Sequence, residues 1–443
     1  VTTPPPTQPL THGRVLRTAL PIVLSSATVP LVGVVDTAAV GQTGEAVPIA
    51  AVGLGAVILS TLFWIFGFLR MGTTGLVGQA AGAGQDDEVA ALMSRALLIA
   101  GAAGLVLIVG QHWLFAAAFE VSAATQEVEA LAGQYLGIRI WSAPAAIAIY
   151  ALTGWLVAMG QTGRVLVLQL VMNGTNIGLD FWFVLGFGWG VAGVAWATVI
   201  AELAGLFLGL WLCRAAFAHP AWRNRAQIFA RAKLVRMALV NVDILLRSAA
   251  LMAIFTSFTM LSTRFGDVVL AANQVLAQFL TLSAFALDGF AYTAESFVAR
   301  AVGARDLARL RRAAWLCTLW AGLSAVLVAV VFAVFGPMAI DLMTTSEEVR
   351  TAARLYLLWV VVSPLLAVWA FILDGIFIGA TRGPDLRNMM ALSAAIYALS
   401  AAVLMPLWGN HGLWLALMIS LVARAVTLGL RYPALERSVL LSK

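Results

Sequence analysis

Apolar runs of about 20 or more residues alternate with short polar connections along almost the whole chain. That length is what an α-helix needs to cross the hydrocarbon core of a bilayer. The pattern predicts twelve helices, near 15–41, 50–80, 91–118, 128–158, 164–187, 191–216, 234–264, 268–299, 311–336, 351–380, 386–408 and 412–432. The longest and most polar connection, His219 to Lys233, is the natural seam. It divides the chain into a disordered proline-rich arm (1–14), a first half (15–217), a linker (218–233) and a second half (234–443). The first apolar run is too long for the core of a cleavable signal, and no small-residue cleavage site follows it. The fold class expected is an all-α polytopic membrane protein in which two pseudo-symmetric six-helix lobes face each other.

The halves resemble one another at a nearly fixed offset. Tyr135, Ser142 and Gly154 recur as Tyr356, Ser363 and Gly375, each 221 positions on, and Gly160, Gly190 and Gly193 recur as Gly379, Gly409 and Gly412, each 219 on. Gly84 and Gly303 are again 219 apart. Six spans per half bring both halves in from the same side, so the repeat is parallel and a cavity is expected between the lobes.

Composition and charge sharpen this picture. Hydrophobic residues make up 62% and charged ones only 11%, against about 25% charged in soluble domains. The 15 Trp and 39 Gly suit membrane helices and their interfaces. The net charge of +6 is not a nucleic-acid surface, because the bases gather in alternate connections. Arg14 and Arg17, the cluster from Arg214 to Arg236, the run from Arg300 to Arg312, Arg382 and Arg387, and finally Arg431, Arg437 and Lys443 all fall on one side. The other side holds Glu45, Glu120, Glu127 and Asp341 with few bases. By the positive-inside rule both termini face the cytoplasm, which implies a multi-pass protein of the cell inner membrane. Cys213 and Cys317 fit neither a disulfide framework nor a metal motif and read as packing residues. There is no GxxxxGK[ST] loop, and the four His are scattered, so no ATPase, enzyme or metal centre is expected.

Ionisable side chains at membrane depth are costly and ask for a reason. Asp36 lies in the first span after two helix-bending prolines, Pro21 and Pro30. Gln169, Asn173, Asn176 and Asp180 step by four, three and four along the fifth span, which puts them on one face. Asp180 and Asp36 sit at a similar depth, about 8–12 Å from the ends of their helices. Such a pair can share a proton or a cation, with no base placed beside it; helix-gluing hydrogen bonds are the structural alternative. Thr198 and Glu202 are i, i+4 neighbours in the sixth span; Thr198 reads as a packing hydroxyl, and Glu202 has no assignable partner. In the second half, Asp243 and Arg247 stand in the order that favours an intrahelical ion pair. Asp288, Tyr292 and Glu295 share a face of the eighth span, and Asp374 lies in the tenth. Arg70 and Arg139 receive no role beyond snorkelling or pairing.

The segments VDTAAVGQTG (35–44), FLRMGTTGLVGQAAGAGQ (68–85), NIGLDFWFVLGFGWGVAGVAWATVIAE (176–202) and LDGIFIGATRG (373–383) resemble the multidrug and toxic compound extrusion (MATE) family. VNVDILLRS (240–248) and FALDGFAYTAE (285–295) are similar to its DinF branch. The resemblance implies a V of two six-helix lobes around a cavity, with alternating access and antiport of cationic, often amphipathic compounds against H⁺ or Na⁺. It carries the coupling role onto Asp36, Asn176, Asp180, Thr198 and Tyr135, and so reverses the reading of Thr198. Where a related branch has a cation-binding acid in its seventh helix, this chain has Arg247, which argues against a Na⁺ site there; Asp374 keeps its match.

The function expected is export of lipophilic organic cations against H⁺, with Na⁺ at Asp36, Asn176, Asp180 and Thr198 as the second choice of coupling ion. A lipid or lipid-linked precursor flippase is the alternative; it would need a cationic groove, and the cavity charges placed from sequence are mostly acids. Asn173, Glu202, Asp243, Arg247, Asp288, Tyr292, Glu295 and Asp374 are left as a substrate cavity or second network. No cofactor and no nucleic-acid partner is expected, and the chain is expected to be a monomer in the bilayer.

Overall fold

A computed structural model describes residues 9–42, 46–122 and 124–441. Glu45, Lys443 and the first eight residues of the predicted arm lie outside them. The described residues form helices and the short connections between them. In the first half α1 is His12–Gly41, α2 Ala46–Ile65, α3 Gly67–Gly82, α4 Asp86–Val121, α5 Gln126–Arg139, α6 Ala143–Ala158, α7 Thr162–Asp180 and α8 Gly190–Leu212. Two short helices at the seam, α9 Arg214–Ala218 and α10 Arg225–Ile228, lead to α11 Arg231–Ser262, α12 Asp267–Gly303, α13 Leu307–Met343, α14 Glu347–Gly379 and α15 Gly383–Leu441. The last is two helices joined across a kink at Gly409.

Ten of the continuous runs among the described residues are long and apolar enough to cross a membrane. On α4, Leu105, Val106, Val109 and Trp113 are all more than half exposed. A soluble surface does not carry apolar stripes of this size, but lipid covers them. Several runs are interrupted. The second predicted span breaks between α2 and α3, the fourth passes through a tight turn at Ile140–Ser142, and α7 gives way to a π-helical turn at Phe181–Gly186.

One expectation is corrected. The arm does not extend to residue 14: Leu10 is buried, Arg312 Nε donates to its carbonyl at 2.6 Å, and Thr11 caps a helix that starts at His12. The linker between the halves is folded. Arg95 of α4, almost fully buried, donates to the carbonyls of Ile228 and Gln227 at 2.9 and 2.7 Å and pairs with Glu88 at 2.6 Å.

Side chains pack into two main apolar cores. One is built from α1 to α8 together with Met237, Val240 and Ile244 from the start of α11. The other is built from α11 to α15 together with Leu10 just before α1 and Val15 and Ala19 from its start. The opening turns of each half's first helix therefore belong to the other half's core. The base-rich connections meet at one end of the molecule. Gln79 Nε2 donates to Gly379 O and Thr381 Oγ1, both at 3.0 Å, and Arg300 donates to Ala158 O at 2.8 and 2.6 Å. Arg311 pairs with Glu436 at 2.8 Å. Backbones touch here: a Cβ on Gly82 would strike the Arg300 carbonyl, and one on Gly303 the Gln79 carbonyl. Small residues permit such close helix crossings in membranes.

The backbone carries the internal repeat in a corrected register. Left-handed helix ends occur at Gly84 (φ 70°) and Arg305 (φ 55°), and at Gly160 (φ 67°) and Thr381 (φ 51°), each pair 221 residues apart. Gly303 and Gly379, matched from sequence, are not the turn positions; they lie within or at the ends of α12 and α14. Gly190 and Gly409, matched at 219, are both left-handed, at φ 53° and 56°.

Candidate coupling site and adjoining cavity

The polar stripe of α7 faces inward, with Asn173, Asn176 and Asp180 all buried. Asn173 Nδ2 donates to Thr28 Oγ1 of α1 at 2.8 Å. Asn176 Nδ2 donates to Thr198 Oγ1 of α8 at 3.0 Å, and that hydroxyl donates to Val194 O at 3.0 Å. These bonds seat α7 between α1 and α8. They bring Asp180, the last residue before the π-helical turn, within hydrogen-bonding reach of Asp36, which Asn176 also reaches. Asp36 is 8% exposed and Asp180 0%.

Buried polar atoms are normally hydrogen-bonded, so exceptions mark places where something is missing. Here four oxygens accept no bond among the described residues: Asp36 Oδ1, Asn176 Oδ1 and both carboxylate oxygens of Asp180. Two facing carboxylates offer acceptors only and need a proton or a cation between them. Tyr135 of α5 is buried beside them, its ring filling the space left by Gly55 of α2.

The expectation that the pair lacks a nearby base is overturned. Arg139, one turn beyond Tyr135, acts electrostatically on both Asp36 and Asp180. Its Nη1 bonds Glu202 Oε1 of α8 at 3.2 Å, which supplies Glu202 with the partner that the sequence did not reveal.

The second network is also rearranged. Asp243 and Arg247 do not pair with each other. Arg387 Nη1 takes Asp243 at 2.7 Å, and Arg247 bonds Asp374 of α14. Both ends of the expected intrahelical pair have partners on other helices instead. Asp374 is shared with Arg424 of α15, whose Nε reaches Oδ1 at 3.1 Å. This carboxylate, kept open as a drug contact, is thus held by two guanidinium groups. Arg70 of α3 makes a two-pronged pair with Glu295 of α12 and lies 3.7 Å from the ring centre of Tyr292. A cavity of about 330 Å³ lies among these groups, walled on its apolar side by Trp64, Phe255 and Phe371. Its charges are balanced, three Arg (70, 247, 424) against three acids (288, 295, 374), and not mostly acidic as expected. Asp288 is half-buried, and no ion pair to it is formed among the described residues. Arg424 was missed in the sequence; an arginine inside the last apolar run was the available signal.

The MatE family model matches the chain twice, over residues 21–182 and 244–407. This chain belongs to the MatE family. The two matches cover the two halves in register, as the internal repeat requires. Among curated relatives, the DNA damage-inducible protein F of Escherichia coli is 39% identical over 93% of this chain and 89% of its own length, which places the chain in the DinF-like branch. Probable multidrug resistance protein NorM of Synechococcus sp. is 26% identical over 90% of this chain and 89% of its own. The crystal structure of MATE in complex with MaD5 superposes with a TM-score of 0.88 at 18% identity, covering 99% of both chains. As a MatE protein the chain is a secondary active transporter of the efflux class, not an enzyme.

Proposed function

We propose that the chain exports lipophilic organic cations in exchange for protons, with Asp36 and Asp180 as the coupling site and Asn176, Thr198 and Tyr135 as its frame. The observation that carries this reading is the set of four buried oxygens without a hydrogen-bond donor, centred on two carboxylates in mutual reach. The names of the NorM relatives support a drug as cargo.

The transport frame follows the family. Splitting α15 at Gly409 and adding α7 with its π-helical turn to the ten long runs gives twelve spans, six per lobe. The end where the base-rich connections meet is the cytoplasmic one by the positive-inside rule, with both termini there. A charged Asp36 facing the opposite side attracts an organic cation, and a low-dielectric cavity strengthens that attraction. Proton uptake removes the charge, expels the cation and lets the neutral carboxyl donate to Asp180. The proton binds the two states differently, which is what driving the conformational change requires.

Sodium is the rival coupling ion at the same oxygens. A lipid or lipid-linked precursor flippase is the second reading. The guanidinium groups of the cavity favour it over what the sequence suggested, although each of the three already holds a carboxylate. Efflux of a fluorescent organic cation from proteoliposomes under an imposed ΔpH, with and without Na⁺, separates these readings. Efflux driven by ΔpH alone is expected. Efflux that follows only the Na⁺ gradient, or lipid translocation without cation efflux, overturns the proposal.

A further inference from the structure

Two Arg–Glu pairs enclosed by the helices differ in how completely they are made. Arg70 and Glu295 meet through two bonds, at 2.9 and 3.2 Å, and the guanidinium is stacked on Tyr292. Arg139 and Glu202 meet through one bond at 3.2 Å, and Arg139 Nε and Glu202 Oε2 are both buried without any partner among the described residues. A half-satisfied buried pair is poised to re-partner, because each free atom loses hydration without compensation. The alternative partners for the guanidinium are at hand. The charged and titratable groups around it are Asp36 of α1, Tyr135 of α5, Asp180 of α7 and Glu202 of α8, with Tyr150 of α6 beside Glu202.

We propose that Glu202 is a positioning residue that holds Arg139 off the Asp36–Asp180 pair, and that Arg139 is a tethered cation that shifts towards these carboxylates when they have lost both proton and drug. Left to itself a buried guanidinium goes to the nearest carboxylate, because an unpaired internal charge is far more costly than a paired one. Glu202 offers it one contact, enough to keep the aspartates open to the outside. The empty, deprotonated site would then have its own counter-charge, so the carrier does not have to return with an uncompensated carboxylate. This inference rests on the coupling-site reading above.

The test uses the full chain, purified and folded by size exclusion. It measures the affinity of a fluorescent lipophilic cation from about pH 5 to about pH 8, and the protons released on binding. In Glu202→Gln, Arg139 competes with the drug for the aspartates. Affinity at the alkaline end should fall about tenfold or more, since only the fraction of sites free of Arg139 can bind. Proton release should fall with it, and Glu202→Asp should restore both. A folded Glu202→Gln protein with an unchanged pH profile overturns the inference. If that variant does not fold, Arg139→Gln/Glu202→Gln removes both charges together. It should bind the cation with its pH midpoint moved by about half a unit or more, and an unmoved midpoint is the overturning result. Asp36→Asn tests the underlying reading separately. If it keeps pH-dependent binding, the coupling site is elsewhere, whatever Glu202 does.

Discussion

Arg70 of the first half and Glu295 of the second close on one another in a planar, two-pronged ion pair, Nη1 to Oε2 at 2.9 Å and Nη2 to Oε1 at 3.2 Å. Both side chains are buried, at 6% and 2% exposure, so neither charge has water to fall back on. Removing one partner should cost about 3–5 kcal/mol, the usual penalty for stranding a buried charge. Arg70→Ala and Glu295→Ala should each lower the thermal stability of the detergent-solubilised protein clearly. Arg70→Met/Glu295→Met should recover most of the loss. A double variant as unstable as the singles would show that the pair matters for more than its charge.

Asp36→Asn and Asp180→Asn should each abolish cation efflux while expression and melting temperature stay near those of the parent. The amide preserves shape but can neither bind a proton nor attract a cation. Normal transport by both variants would remove the coupling role from this site.

Asp374→Asn should behave differently. Its carboxylate holds Arg247 and Arg424, so the substitution leaves two buried guanidinium groups facing each other. The expected outcome is a destabilised, poorly expressed protein. A well-folded Asp374→Asn protein that has lost only drug binding would point to direct contact with cargo instead.

Drug affinity should fall as the pH on the open side drops from about 8 to about 5, because protonation removes the negative charge that holds the cation. By linkage, drug binding should release protons. Calorimetry in two buffers of different ionisation enthalpy measures that release. A pH-independent affinity would exclude competition between proton and drug.

Topology can be read with single cysteines, because Cys213 and Cys317 are both buried and give a quiet background. Arg437→Cys should react with an impermeant maleimide only from the cytoplasmic side, and Glu120→Cys only from the opposite side. Both residues are exposed. Labelling of the two from the same side would contradict an arrangement with both termini inside.

Much of the fold was legible because one-dimensional signals fixed it: apolar runs set the helices, and the 3.6-residue period put Asn173, Asn176 and Asp180 on one face of α7. The meeting of Asp36 and Asp180 was readable as a shared depth. The ion pairs were not. Asp243 and Arg247 satisfied a local pairing rule, yet each bonded to a helix more than a hundred residues away, because the third dimension brought Arg387 and Asp374 within bonding distance. Glu202 had no visible partner, Arg139 no assigned one, and Arg424 was passed over, for the same reason. The turn positions Arg305 and Thr381 were hidden by their side chains, since neighbouring glycines drew the sequence match two residues off.

The exchange of opening turns between the two cores decides how this protein can be taken apart. Ala19 and Val23 of α1 pack onto Gly289 of α12, while Met237, Val240 and Ile244 of α11 sit in the first half's core. A chain severed at the seam would therefore give two fragments that each lack a wall and each carry a spare one. Co-expressed, they should find one another and assemble; expressed singly, each should be a substrate for membrane proteases. The halves are clasped like two hooked fingers, and the peptide bonds between His219 and Lys233 are not what keeps them together.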